Sequence, residues 1–301
     1  MRVTNEMMTS NSIAHMSDSL SKLYQLQTKA ATGKDFLKAS ENPAKAVKNI
    51  SLRSSQEALR SYTNTARVVK EWISDTEFNL QKMTDLGVRA QTLILRGLND
   101  SLDADARNDI AVELDGMLSQ AISMANAKHQ DNYLFAGANT TNPVPPFRRD
   151  TSGATETVVY EADIPVGIMR RDVAPGETMT MNVDGNEYFI NSDFFNSFIA
   201  ARDALAANDT TALAAAQTRV IDATKKLMES LTTVGVRWNS VQTSIERMEQ
   251  SDIEMQSFIS QNQEVNLAEV YSQIANQEMV YRSVLQVSSR ANSLLNLFDV
   301  L

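Results

Sequence analysis

Apolar residues recur in alternating steps of three and four along most of this chain. After Pro43 the line runs Leu59, Tyr62, Ala66, Val69, Ile73, Thr76, Leu80, Met83, Gly87, Ala90, Ile94, with nine of the eleven apolar. That spacing lays one stripe along a helix. It predicts a helix from Pro43 to about Leu98, with Asn42 as N-cap and Pro43 at the first helical position. At ~1.5 Å per residue such a helix is roughly 80 Å long and needs a partner along its length. Gly97-Leu98-Asn99-Asp100 ends it. Asp103 or Asp105 starts another, with Ile110, Leu114, Met117, Ala121 and Met124 on one face, closing near Asn132. Further on, Phe194, Phe195, Phe198 and Ile199 open a short helix, and Asn208-Asp209-Thr210 breaks and recaps it. A long stripe follows through Leu227, Leu231, Val234, Trp238, Val241, Ile245 and Met248. Asp252 interrupts it, and Met255 and Ile259 resume it. Three long helices with matching stripes predict an antiparallel bundle.

The two ends carry stripes of their own. Near the N-terminus the line is Ile13, Met16, Leu20, Leu23, Gln27, Ala30, with Gly33 as a left-handed cap. Near the C-terminus, after the polar joint Asn262-Gln263-Glu264, it is Leu267, Val270, Ile274, Gln277, Tyr281, Val284, Ser288, Ala291, Leu295, Phe298. Val280, Leu285, Val287, Leu294, Leu297 and Leu301 widen that face beyond what one partner helix covers. We expect the ends to pair as a coiled coil whose remaining apolar surface is met by like subunits. The residues assigned to this assembly interface are Ile13, Met16, Leu20, Leu23, Leu267, Val270, Ile274, Tyr281, Val284, Ala291, Leu295 and Phe298. Charge supports the pairing. Residues 1–60 hold nine Lys/Arg against five Asp/Glu, and residues 240–301 hold three against eight. This is a modest, salt-screened bias.

Breakers concentrate between the two helical arms. Residues 137–185 hold five of the six prolines and five of the ten glycines. Thr178 to Val183 alternates with period two, Asp184-Gly185-Asn186 signals a hairpin turn, and Glu187 to Ile190 returns as a strand. Val158-Val159-Tyr160 and Val166 to Met169 are further strand candidates. Arg148, Arg149, Arg170 and Arg171 are expected to serve surface solubility. The predicted fold is mainly α, an elongated antiparallel helical bundle with paired terminal coiled-coil helices and a small inserted β-rich domain. The expected domains are residues 1–35 plus 263–301 for assembly, 36–137 plus 193–262 as a helical rod, and 138–192 as a surface insert.

Composition removes most chemistry. The 301 residues carry a net charge of −9 and a pI near 4.9, a poor fit to nucleic-acid binding. No apolar run reaches the ~18 residues of a membrane span. Cysteine is absent, which excludes disulfides, thiolate chemistry and zinc fingers. The start Met1-Arg2-Val3-Thr4-Asn5-Glu6 has no apolar core after a basic residue, so no cleavable secretory signal is expected. His15 and His129, the only histidines, have no Asp or Glu at ligand spacing. Thr32-Gly33-Lys34-Asp35 lacks the earlier glycine and the trailing Ser/Thr of a phosphate loop. Asp100 to Asp105 lacks the EF-hand pattern and is read as capping. The fourteen methionines suit adaptable core filling. No catalytic constellation, metal site or cofactor is expected.

Several segments carry a family resemblance. They are Met1-Arg2-Val3-Thr4 with Met7-Met8, Thr32-Gly33-Lys34 followed by Ser40-Glu41-Asn42-Pro43, Tyr133-Leu134-Phe135-Ala136-Gly137 with Pro146-Phe147, and Gly235-Val236-Arg237-Trp238-Asn239. With the apolar helical C-terminus, these make residues 1–147 and 193–301 resemble the flagellin superfamily. The Tyr-Leu-Phe-Ala-Gly segment leans toward its hook–filament junction members. Lys38-Ala39 departs from the Asn-Pro common in relatives, and the insert aligns with nothing. The resemblance implies a secreted, non-enzymatic structural adaptor of the bacterial flagellum, joining hook to filament outside the cell. It also implies export by the flagellar type III apparatus. The implied partners are like subunits, hook-associated protein 1, flagellin and an export chaperone, with no nucleic acid and no membrane. The alternatives are the filament subunit itself, another secreted helical interaction protein, or an enzyme housed in the insert.

Overall fold

A computed structural model describes residues 5–153, 155–161 and 167–298. Six α-helices dominate: α1 Asn5–Thr32, α2 Pro43–Gly97, α3 Ala104–Ala125, α4 Phe194–Ala206, α5 Thr210–Gln263 and α6 Leu267–Phe298. Six short strands lie between α3 and α4, as β1 Lys128–His129, β2 Asn132–Tyr133, β3 Phe147–Asp150, β4 Thr157–Tyr160, β5 Arg170–Ala174 and β6 Glu177–Thr180. The chain divides into two compact units, residues 1–57 with 252–301, and residues 58–251. Helices α2 and α5 contribute residues to both.

Helix ends fall where side chains can satisfy the free backbone amides. The Asn42 carboxamide accepts from Lys45 N at 3.1 Å at the start of α2. Asp103 accepts from Ala106 N at 2.8 Å at the start of α3, and Asp209 from Ala212 N at 2.9 Å at the start of α5. Gly33, with φ +68°, ends α1 in the left-handed region. Helix α3 stops at Ala125, short of the expected Asn132. The cause is Asn126, whose side chain turns outward to hold β3. It donates to the Phe147 carbonyl and accepts from Phe147 N at 2.8 and 3.0 Å. The residues beyond it form the small hairpin β1–β2.

In the central unit α2 and α5 run antiparallel. Arg67 pairs with Glu249 at 2.7 Å, and further along, Gly87 lies against Thr224. A Cβ at Gly87 would stand 2.5 Å from the Thr224 hydroxyl, so the missing side chain is what lets the two backbones approach. The stripe predicted on α2 is buried. Ala66, Val69, Leu80, Met83, Ala90 and Ile94 are fully covered, as are Leu227, Val234 and Val241 on α5.

The strands share this core. Phe135, Phe147, Phe189 and Phe195 form a buried aromatic cluster with ring centroids 5.0 to 5.7 Å apart. Strands β3 and β4 pair antiparallel, Phe147 opposite Tyr160. Strands β5 and β6 pair through Pro175-Gly176, where Gly176 takes φ +75°. The hairpin expected at Asp184-Gly185-Asn186 is not made. Asp184 accepts from Asn186 N through its carboxylate and from Tyr188 N through its carbonyl. Residues Asn186–Ile190 therefore coil into a π-helical turn instead of a strand. Gly167 to Met169 lie outside the strands, and Val166 lies outside the described residues.

Arg149, expected to be a solubilising surface residue, is instead paired. It contacts Asp115 at 3.0 Å and Glu156 at 3.2 Å, while Arg202 meets the same two carboxylates at 2.9 and 2.6 Å. Burial pushes the Asp115 carboxyl up, but Arg202 and Arg149 outweigh it and hold the group below the usual range. The network fixes hairpin β3–β4 to α3 and α4.

Arg107 joins two interhelical loops. It is buried, and it donates to the Gly97 and Asn99 carbonyls at 2.9 and 3.0 Å and to the Asn208 carboxamide. Arg107→Ala is expected to lower the unfolding free energy by about 1–3 kcal/mol, because the buried Gly97 carbonyl and two partly covered acceptors lose their donor. Urea denaturation checks this. Arg107→Lys should recover only part, since one ammonium cannot span all three.

Candidate assembly interface

The terminal unit is built on the pairing of α1 with α6. The two helices run antiparallel. Ser19 meets Gln277, and thirteen to fifteen residues away Lys34 bridges Glu264. On α6 the covered positions are Val270, Ile274, Gln277, Tyr281, Val284 and Ser288, a strict four-three repeat. Val270 is 2% exposed and the others are partly covered.

On α1 the covered line is Ser12, Met16, Ser19, Leu23, Leu26 and Ala30. This corrects the predicted stripe. Met16 and Leu23 do lie in the seam, but Ile13 and Leu20 stand 58% and 50% exposed. Ser12 and Ser19 hold the inward positions instead. The predicted line followed the larger apolar side chains, whereas the backbone follows the seven-residue repeat. On α6, Ile274, Tyr281 and Val284 occupy the seam as expected, and Leu267 is 44% exposed at its base. The side chains of Ala291, Leu295 and Phe298 lie outside the described residues.

A polar clasp closes the base of the pair. Asp35 N donates to the Gln263 carbonyl at 2.8 Å, and Val265 N to the Gly33 carbonyl at 3.0 Å. The Asp35 carboxylate accepts from Lys45 and Lys29 at 2.7 and 3.1 Å. These two ammonium groups, Lys45 first, hold the Asp35 carboxyl below its ordinary value. Arg53 donates to the Gln263 side chain at 2.9 Å, and Gln56 to Gln256 at 2.9 Å. The Thr32-Gly33-Lys34 segment is thus a helix cap and strand-like bridge. Asn266 caps α6 by accepting from Ala268 N at 3.1 Å.

The outward faces of the pair stay apolar. Ile13, Leu20 and Tyr24 on α1, and Tyr271, Met279, Val280 and Val287 on α6, are each at least half exposed. An open groove of about 380 Å³ lies between the helices toward their far end, lined by Ser12, His15, Met279, Val280, Val284 and Val287 among others. Sequence reasoning missed Tyr24, Tyr271 and Met279. They fall off the seven-residue repeat, and exposed position alone leaves no periodic signal. The other histidine, His129, sits in the central unit against Asp75 at 2.6 Å and edge-on to Trp72. Among the described residues no cluster of three or more His, Cys, Asp or Glu could hold a metal. No described helix is long and apolar enough to cross a membrane.

Comparison with known proteins bears on this arrangement. Residues 3–140 match the bacterial flagellin N-terminal helical region. The resemblance read from the sequence is borne out. Flagellar hook-associated protein 3 of Salmonella typhimurium is 27% identical over 154 residues, covering 51% of this chain and 48% of that protein. The Escherichia coli protein of the same name is 25% identical over 165 residues, 54% of this chain and 52% of its own. The chain therefore spans about half the length of the curated relatives it matches. Among solved structures, a putative flagellar hook-associated protein from Vibrio parahaemolyticus superposes with a TM-score of 0.66 at 20% identity, covering 74% of this chain and 100% of that one. The flagellar junction protein FlgL from Legionella pneumophila superposes at 0.58 and 13% identity, covering 73% and 100%. These likenesses show the fold, a mainly helical one with long antiparallel helices and a small β-hairpin region.

The clasp carries a pH dependence. Because the folded Asp35 pKa is depressed, its contribution is present above the unfolded carboxylate value and is lost as pH falls through the folded one. Amide NMR shifts of Gly33 to Leu37 should hold steady from pH 8 to about 5 and move below about pH 4. Asp35→Asn should abolish that low-pH transition while leaving the central unit's melting in place.

Proposed function

We propose that this chain is a structural adaptor of the bacterial flagellum, located outside the cell at the junction of hook and filament. The apolar outward faces of the α1–α6 pair carry the reading. Seven apolar or aromatic side chains at least half exposed on one two-helix unit cannot all be solitary surface residues. Like subunits packed laterally would bury them. At ~25 cal/mol per Å2, several hundred Å2 of such burial supplies several kcal/mol before ordering costs. Hook-associated protein 1 on the hook side and flagellin on the filament side are the proposed axial neighbours. An export chaperone would hold the same apolar faces before assembly, and the flagellar type III apparatus would pass the chain outward. The proposed role needs no catalytic residue, cofactor or metal. The names of the relatives, hook-associated protein 3 and junction protein, support the junction over the filament as its place.

Two experiments test this. Antibody label against the chain should mark one narrow band at the base of each flagellar filament in electron micrographs. Label along the whole filament would favour the filament subunit, and label elsewhere on the cell would end the flagellar reading. Ile274→Asp and Val284→Asp each place a charge in the terminal seam. Each should abolish incorporation into flagella while the central unit melts within about 2 °C of the parent, since the substituted residue lies outside that unit's core. Full incorporation of either variant would contradict assembly through this pair.

A further inference from the structure

The seam between α1 and α6 contains one layer that hydrophobic burial alone does not explain. At its middle, Gln277 Nε2 donates to the Ser19 hydroxyl at 2.9 Å and to the Ser19 carbonyl at 3.2 Å. Ser19 is 5% exposed and Gln277 half-buried. Met16 and Leu23 flank this layer on α1, with Ile274 and Tyr281 on α6. An aliphatic residue at either position would fit the repeat and bury more apolar area. A hydrogen-bonded polar pair flanked by apolar layers of a coiled-coil seam costs stability and penalises misalignment, because a shift strands its hydrogen-bonding groups against hydrocarbon.

We propose that Ser19 and Gln277 form the register key of the terminal pair, and so determine which outward side chains stand side by side for a second copy of this chain. The geometry makes the key asymmetric in a useful way. Sliding α6 by one heptad in one direction sets Gln277 against Leu26, where its amide has no partner. Sliding it the other way sets Gln277 against Ser12, which offers a hydroxyl. A slip in either direction would also break the Lys34–Glu264 backbone bridge and the Asp35–Gln263 hydrogen bond at the base. The clasp therefore opposes both slips, and the key adds its own penalty within the seam to the first of them. In the native alignment Val280 lines a surface groove with Ser12 and His15 and another with Lys22, Gln25 and Leu26 of α1. The bearing on assembly rests on the function proposed above. The register itself does not.

The chain has no cysteine of its own, so disulfide trapping in the full-length protein reads register without background. Counting four residues from Ser19 and three from Gln277, Leu23→Cys with Ile274→Cys reports the native alignment. Leu23→Cys with Tyr281→Cys reports the slip of one heptad. With Ser19 and Gln277 intact, the native reporter should close at least about ten-fold more completely than the slipped one. With Gln277→Leu added, the slipped reporter should close at least about three-fold more completely than in the parent, while helix content is kept or raised. The exchange Ser19→Gln with Gln277→Ser should restore the native preference. A Gln277→Leu protein that still traps only the native pair overturns the proposal, and so does a parent protein that traps both pairs equally. Neither readout needs flagella. If the register shifts as expected but every variant still incorporates normally, the assembly reading fails and the register key stands.

Discussion

An antiparallel pair of helices has a single seam, and α1 and α6 carry more apolar side chain than one seam can hide. Six positions on each helix turn inward at strict four-three spacing. Two of the six on α1 are serines, while Ile13 and Leu20 are left outside. The pair therefore leaves apolar side chains exposed on several sides. Helices of this length, held by a seam in which Ser12, Ser19, Gln277 and Ser288 are polar, have little of their own to resist opening.

The central unit is organised on the opposite principle. Most of its stripe positions on α2 and α5 are buried, and a loop, strand β3, the π-helical turn and α4 each deliver one phenylalanine into a closed cluster. Its polar groups turn inward to partners. Arg107 ties two loops together, and the carboxylates of Asp115 and Glu156 lock Arg149 and Arg202 over a hairpin. Gly87 admits Thr224, and Gly185 lies where a Cβ would stand 2.5 Å from the Phe135 carbonyl oxygen. This unit is complete by itself, which is what a subunit needs if its other unit is unfinished. The Tyr160 hydroxyl shows the dryness of the insert's root, since burial pushes its pKa to about 12.

The long helices were legible because their period is enforced over many turns and their caps use side chains with one clear role, as at Asn42, Asp103 and Gly33. The inserted segment was less so. Asp184-Gly185-Asn186 carries the composition of a hairpin turn, yet the tertiary position of Gly185 under Phe135 and Phe147 excludes one, and Asp184 starts a helical turn instead. Arg149 looked like a solvated cation because the carboxylates that receive it lie 34 residues back in α3 and just ahead of the facing strand. On α6, the described positions Val270, Ile274, Tyr281 and Val284 of the expected stripe do face α1, while Leu267 stays exposed. The α1 face was misread by one position, because residue size was given more weight than the repeat. A partly polar seam hides this way: Ser12 and Ser19 give no apolar signal, and only the partner helix reveals that they are inside.

The central claim is that the terminal pair stays unfinished until other molecules close around it. Amide hydrogen exchange on the free full-length chain, followed residue by residue, tests that most directly. The account predicts that amides of α1 and α6 exchange orders of magnitude faster than those of α2 between Ala66 and Ile94, and become protected in assembled flagella. Terminal amides that are as slow in the free chain as those of the central unit would contradict it.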